Sequence, residues 1–268
     1  MHGVDPALVE ALTGLVSHAG RAILDIARDR LAVKEKADFS PVTAADMAAQ
    51  TVILDGLAKL LPGIPVVSEE LADRQPAIGH GESFILVDPL DGTREFTAGR
   101  DEYTVNLALI EAGEPVLGFV FLPVRGLLYR GGRGQFAERL RLQAGMPPGT
   151  AAEAVPLRTR PAPTKLVAAV SRSHLDPATD SFLGRLPVAA RVASGSSLKF
   201  GLLAEGAADV YPRLAPTHEW DIAAGHAVLA AAGGTVVRPD GAPLTYGHGE
   251  RKFLVPGFIA WGDPSAAQ

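Results

Sequence analysis

Phe84-Ile85-Leu86-Val87-Asp88-Pro89-Leu90-Asp91-Gly92-Thr93 is the stretch around which this chain is organised. Its first four residues form an apolar, partly β-branched run bounded by Gly81 and Pro89, which predicts a buried strand. Pro89 fixes its own φ and has no N–H, so the strand is expected to break there, leaving Asp88 and Asp91 free to converge on one point. Gly92 permits close backbone approach to a ligand, and Thr93 is a good helix N-cap. A strand end, two acids and a helix start place a cation site opposite an anion site. An isolated Asp-x-x-Asp is ordinary, solvated turn chemistry. The weight here lies in the full order of strand, acid, proline, acid, glycine and threonine.

The chain around it is that of a globular protein. With 268 residues it makes one large domain or two modest ones, and 47% apolar with 21% charged residues suits a packed core. No uninterrupted apolar run reaches the ~18 residues of a membrane span, and the N-terminus lacks the pattern of a signal peptide. The absence of cysteine excludes disulfides and thiolate metal sites, and fits a cytoplasmic protein. A net charge of −5 argues against a non-specific nucleic-acid binder, though not against a nucleotide substrate.

Upstream, Val4 to Arg30 predicts an amphipathic helix with Leu8, Leu12, Leu15, Ala19, Ala22 and Ile26 on one face. After a connection ending at Ser40-Pro41, Thr43 and Asp46 fit a capping box opening a helix to about Leu61. Pro65 to Ser68 reads as a short strand ending in Glu69-Glu70, followed by a polar loop from Leu71 to Glu82. Downstream, Tyr103 to Ile110, Pro115 to Val124 and Leu127 to Arg130 read as successive antiparallel strands, with Gly131-Gly132-Arg133-Gly134 as a hairpin turn. The proline-rich stretch from Met146 to Pro163 reads as an irregular connection.

Beyond it the pattern alternates. Strands are expected at Lys165–Val170, Val188–Val192 and Asp209–Tyr211, with helices at Pro177–Arg185 and from Ser194-Gly195-Ser196-Ser197-Leu198-Lys199 to about Glu205. Such alternation predicts a mixed or parallel sheet with ligands at the strand ends. The serine-rich helix start either caps its helix or, with Lys199, faces an anion. Trp220-Asp221-Ile222-Ala223-Ala224-Gly225 opens an Ala-rich helix whose small face allows close packing; Asp221 suits its N-terminal dipole or a metal. A turn and strand follow at Gly233–Val237 and a last strand at Phe258–Trp261, and the tail after Pro264 is expected to be disordered.

The central stretch resembles the signature of the inositol monophosphatase superfamily, the Mg-dependent, lithium-sensitive phosphomonoesterases. Thr93-Arg94-Glu95-Phe96 and the run from Glu102 to Ile110 look like the CysQ-type 3'(2'),5'-bisphosphate nucleotidases; inositol monophosphatases usually carry Asn where this chain has Glu95. The resemblance covers nearly the whole chain. It implies an α/β fold, the layered αβαβα sandwich of the inositol monophosphatase and fructose-1,6-bisphosphatase type. Residues 1–155 would be an α+β half with an antiparallel sheet and most metal ligands, and 156–268 an α/β half with the substrate pocket and Asp221.

The same resemblance implies Glu69, Asp88, Asp91, Asp221 and the Leu90 carbonyl as ligands of about two or three Mg²⁺ ions, with Mn²⁺ able to substitute. It gives Asp46, Glu70 and Thr93 catalytic roles, the Thr93 hydroxyl being oriented by Asp46. It lines the substrate pocket with Gly92, Thr93, His174, Ser196, Ser197, Lys199 and Arg213 beside the metal ligands. The implied reaction is hydrolysis of 3'-phosphoadenosine 5'-phosphate to AMP and phosphate, and also of 3'-phosphoadenosine 5'-phosphosulfate, in sulfur assimilation. The partner is then a small phosphorylated molecule; no nucleic-acid polymer and no integral membrane association are expected, and the protein would be a monomer or homodimer. Inositol or fructose phosphatase activity would share every metal ligand. A kinase or nucleotide switch would need a Walker or Gly-rich phosphate loop, which the sequence lacks. A non-catalytic phosphate-binding regulator is the remaining alternative, disfavoured by the full set of acids.

Overall fold

The computed structural model describes residues 4–32, 41–74, 76, 78, 79, 81–173 and 175–267. Helices α1 (Pro6–Ala32) and α2 (Pro41–Leu60) come first and pack against each other. By length and hydropathy Pro6–Ala27 is apolar enough to cross a membrane, although polar residues interrupt its apolar run. In this fold its Leu12, Val16, Ala19 and Ile23 are fully buried. Those residues join Ala45, Ala49 and Ile53 of α2 in covering one face of a sheet. Because α2 starts at Pro41, Thr43 and Asp46 lie inside the helix and do not form its cap. The polar connection before Pro41 lies outside the described residues.

That sheet has seven strands in sequence order: β1 (Val66–Ser68), β2 (Phe84–Asp91), β3 (Thr104–Glu111), β4 (Glu114–Leu122), β5 (Leu127–Gly132), β6 (Phe136–Arg141) and β7 (Glu153–Pro156). β1 runs parallel to β2, and every later pair is antiparallel. β6 and β7 were not expected; β7 lies in the proline-rich stretch, where an edge strand tolerates Pro156. Gly131 and Gly132 are strand residues, and the turn comes after them. The period of two sorts the faces. Ile85, Val87, Val105, Leu107 and Leu109 meet α1 and α2, while Phe84, Leu86, Ala108 and Ile110 face the other way.

The second sheet has five strands in the order β12-β14-β10-β8-β9. These are β8 (Leu166–Ser171), β9 (Val188–Ser194), β10 (Val210–Arg213), β12 (Thr235–Val237) and β14 (Phe258–Trp261), with β8 parallel to both β9 and β10. A small pair, β11 (Thr217–His218) with β13 (Leu254–Val255), adjoins it. Between the two sheets lie α5 (Leu198–Ala204) and α6 (Glu219–Ala231), whose Phe200, Leu203, Ala224 and Val228 share one core with both sheets. On the far side Leu183 of α4 (Pro177–Leu183) covers Ala168, Val210 and Ile259. The layers are thus α1 and α2, sheet, α5 and α6, sheet, α4: an αβαβα sandwich. The tail is ordered, not disordered: Pro264–Ala267 forms a 3₁₀ turn, and Ala266 and Ala267 pack on the outer core.

The middle layer depends on close approach. A Cβ at Gly118 of β4 would lie 2.7 Å from the Cβ of Ala227 and strike the Ala224 carbonyl; one at Gly225 would strike the Phe200 ring. These contacts seat α6, and with it Asp221, on the sheet. Gly118→Val is expected to lower stability by about 1–3 kcal/mol, the range for overpacking. Thermal unfolding checks this; an unchanged Tm would show that α6 does not need so close an approach.

Candidate active site

The strand that carries the two aspartates does not stop at Pro89. β2 runs on to Asp91, and its pairing with β3 slips between Asp88, opposite Asn106, and Asp91, opposite Thr104. The irregularity absorbs the proline, which cannot donate to the ladder. Gly92 then takes a left-handed φ of 93° and is itself the cap of α3 (Thr93–Thr97), so Thr93 is the first residue of that helix and not its N-cap. Asp88 is almost wholly buried, with 1% exposure, and its Oδ1 accepts the Leu90 amide at 3.0 Å.

Two further acids reach the same place. Glu69 opens the 3₁₀ turn that follows β1, and Asp221 sits in the first turn of α6. One carboxylate oxygen each of Glu69, Asp88 and Asp221 lies within 4.8 Å of the others. Asp91, Leu90, Gly92 and Thr93 line the same cavity, whose volume is about 250 Å³. Asp221 Oδ2 accepts from the Thr217 hydroxyl and, at 3.2 Å, from the His218 amide, so it serves the helix start as well. Burial, and then repulsion from Asp221 and Asp91, pushes Glu69 up to about 7. Asp88 stands well above the usual carboxylate range through burial and the charges of Glu69 and Asp91. Asp221 is raised by burial and by Asp91.

Asp46, buried on α2, is pushed up to about 8 by burial and by its neighbour Glu70. Its Oδ1 has no hydrogen-bond partner among the described residues. The expected orientation of the Thr93 hydroxyl by Asp46 is therefore replaced by an Asp46–Glu70 pair. Thr93 itself is exposed at the cavity wall.

The opposite wall comes from the second sheet. Ser171 of β8 and Ser194 of β9 are register partners in a parallel pair, so both strands open on the same side, where parallel sheets hold ligands. Ser196 and Ser197 line the cavity, but both hydroxyls contact Asp91 Oδ2, at 2.5 and 3.0 Å, and neither caps α5. Lys199 is buried, its ammonium bonded to the carbonyls of Ser194 and Ser196 and lying 5.1 Å from the centre of the Tyr211 ring. Burial lowers it to about 8, against the pull of Asp91. Arg213 lines the cavity with Nη2 on the Pro216 carbonyl and a buried Nε that has no partner among the described residues. His174 lies outside the described residues.

Sequence reasoning missed the residues that join these walls. Glu102, buried, receives Arg172 through two bonds of 2.9 and 3.1 Å and the Gly195 amide at 2.8 Å. Glu95, also buried, accepts the Ser173 hydroxyl at 2.7 Å. Thr104 and Asn106 reach Asp91 and the two serines. Their signal was present: two polar residues, two apart, in an otherwise apolar strand.

The inositol monophosphatase family model matches residues 6–258, nearly the whole chain. The chain belongs to the inositol monophosphatase family. Within this family it is 44% identical, over 94% of its length and 98% of the relative's, to the 3'(2'),5'-bisphosphate nucleotidase CysQ of Escherichia coli O6:H1. The CysQ of Salmonella typhimurium is 43% identical over the same shares. The crystal structure of CysQ from Bacteroides thetaiotaomicron superposes with a TM-score of 0.82 at 35% identity, covering 96% of this chain and 97% of that one. Inositol monophosphatase II from Staphylococcus aureus, at 21% identity and a TM-score of 0.76 over 97% and 91%, shares the fold.

Inositol monophosphatases are a metal-dependent family, and the acidic cluster fits a metal. Its donors are all oxygen, which suits hard cations. Carboxylates this close repel unless neutralised, by a cation or by protons. The sign of the pH effect follows. Raised carboxyl pKa values mean that the folded, metal-free protein holds protons that the unfolded chain releases, so its stability grows as pH falls from about 8 to 6.5. Lys199, lowered to about 8, acts mainly above that window; His226, lowered to about 4 by burial from 6.5, opposes the trend mainly below it. In EDTA, Tm is expected to be higher at pH 6.5 than at pH 8, and Mg²⁺ to raise Tm more at pH 8. A flat profile in EDTA, or one rising with pH, would contradict this charge balance.

Proposed function

We propose that this protein is a Mg²⁺-dependent phosphomonoesterase that hydrolyses 3'-phosphoadenosine 5'-phosphate to AMP and phosphate in the cytoplasm, with 3'-phosphoadenosine 5'-phosphosulfate as a second substrate. One observation carries the reading: the cluster of Glu69, Asp88 and Asp221 shares its cavity with Arg213 and Lys199, an acidic and a cationic wall facing one space. The nucleotidase relatives support the same substrate class.

In this reading Glu69, Asp88, Asp91, Asp221 and the Leu90 carbonyl hold about two or three cations, Mg²⁺ or Mn²⁺. When bound, these supply the positive charge that activates a water and offsets the developing charge on the leaving oxygen. The backbone amides of Gly92 and Thr93 hold phosphate oxygens. Asp46 and the neighbouring Glu70 are the pair able to keep the proton that the water gives up, and the Thr93 hydroxyl, exposed at the cavity wall, is left to contact the ester. The cavity walls orient the ester. Arg213, on the cavity wall, receives the second phosphate with its guanidinium, while Lys199 stands one step back and shapes the Ser194–Ser196 backbone.

Phosphate release from 3'-phosphoadenosine 5'-phosphate, inositol 1-phosphate and fructose 1,6-bisphosphate tests this directly. The first is expected to be preferred, with turnover lost in EDTA and restored by Mg²⁺. Preference for inositol 1-phosphate would overturn the nucleotidase reading, and full turnover in EDTA the metal reading.

Arg213→Ala is expected to weaken 3'-phosphoadenosine 5'-phosphate by about 1.5–3 kcal/mol, the scale of a charged hydrogen bond, chiefly in KM. Inositol 1-phosphate, with no second phosphate, should be nearly unaffected. An equal loss on both would assign Arg213 a structural role.

A further inference from the structure

Asp91 Oδ2 is the most crowded acceptor in the cavity. Ser196 Oγ contacts it at 2.5 Å, Ser197 Oγ at 3.0 Å, Asn106 Nδ2 at 3.4 Å and Thr104 Oγ1 at 3.5 Å. Thr104 and Asn106 belong to β3 of the first sheet, and the serines to the segment between β9 and α5 of the second. The contact therefore binds the two walls together through one carboxylate oxygen.

Asn106 organises these donors. It is buried, with 1% exposure, and both ends of its amide are engaged. Its Oδ1 accepts the Thr104 hydroxyl at 2.9 Å, and its Nδ2 donates to Ser197 Oγ at 2.9 Å. The flipped amide would set its oxygen against Asp91 and leave two acceptors face to face, so the network itself fixes the orientation. A serine hydroxyl has a single proton. With its oxygen accepting from Asn106, Ser197 must send that proton outward, to Asp91 Oδ2 at 3.0 Å or to the Asp221 carbonyl at 2.9 Å. Both targets belong to residues of the acidic cavity. On the other flank Ser196 has a left-handed φ of 50°, rarely adopted by a residue with a side chain, and Lys199 grips its carbonyl.

We propose that Asn106 is a positioning residue: by donating to the Ser197 oxygen it turns that hydroxyl's single proton toward Asp91, keeping Asp91 Oδ2 hydrogen-bonded so that Oδ1 is the oxygen left for a cation. This rests on the reading of the acidic cluster as a cation site. Asn106 touches neither cation nor substrate in this scheme. It acts chiefly through Ser197, at 2.9 Å, its own approach to Asp91 Oδ2 being longer, at 3.4 Å.

The test is Mn²⁺ affinity, measured by calorimetry on the metal-free protein, alongside the metal-free Tm. Asn106→Leu keeps most of the volume and removes the amide; Ser197→Ala removes the relay and stands in if the first variant folds poorly. Each is expected to weaken Mn²⁺ by about 10–100-fold, the usual effect of removing a partner of a metal ligand. Because both act through one chain of bonds, the double variant should lose about as much as either single variant. Mn²⁺ affinity within two-fold of the parent protein, with only Tm lowered, would make Asn106 a packing residue and overturn the proposal. Losses that multiply in the double variant would overturn the route through Ser197. Asp91→Asn separates the two levels. If it binds Mn²⁺ like the parent protein, the cation site itself is misassigned and this inference falls with it; if it loses Mn²⁺ while Asn106→Leu and Ser197→Ala do not, only the inference fails.

Discussion

Mutual repulsion among buried carboxylates is the constraint on which the rest of this molecule turns. Carboxylate oxygens of Glu69, Asp88 and Asp221 come within 4.8 Å of one another, and with Asp88 buried and the other two half-buried they lose much of the water that would screen their charge. Such a cluster is unfavourable for a free-standing fold and favourable for one that binds a cation. The scaffold must therefore hold the acids in place against their own electrostatics. It does so by engaging carboxylate oxygens locally: Asp88 by the Leu90 amide, Asp221 by Thr217 and the His218 amide, Asp91 by the serines.

The layered architecture serves that arrangement. Asp88 and Asp91 come from the second strand of the first sheet, and Asp221 from the helix that the two sheets share. A helix can serve both sheets only if it lies close to each. Gly118 and Gly225 make this possible at positions where a side chain would collide with the Ala224 carbonyl or with Phe200. Glu102 and Glu95 then clamp the Arg172 and Ser173 side chains and the Gly195 amide, all in the second sheet's loops, onto the first half. Stability and site geometry are in this sense one problem, since the contacts that close the core also set the distance between the acids.

Much of this was legible in the chain. The order of acids, the apolar run into Asp88 and the Ala-Ala-Gly face after Asp221 are local patterns, and local patterns report strands, helix faces and clustered charge well. What escaped was decided at long range. Pro89 reads as a strand terminator, yet a slip in register against β3 lets the strand continue to Asp91. Ser196 and Ser197 read as a helix cap or anion site; their hydroxyls go instead to Asp91, 105 and 106 residues earlier. Gly131 reads as a turn, but its place is set by a helix almost a hundred residues later, where a Cβ would lie 2.9 Å from the Cα of Val228. Thr93 lost the cap to Gly92 because the chain needs a left-handed residue there. Asn106, a polar residue in an apolar strand, was visible and passed over, because its partner lies across the seam.

The central claim is that these buried acids hold protons when no cation is present and exchange them for one. Calorimetric titration of Mg²⁺ into the metal-free protein at pH 7.5, repeated in buffers of different ionisation enthalpy, measures that exchange directly. The raised carboxyls of Asp46, Glu69, Asp88 and Asp221 require a net release of protons on binding, larger at pH 6.5 than at pH 8. Mg²⁺ binding without proton release at any of these pH values, or no Mg²⁺ binding, would contradict the account.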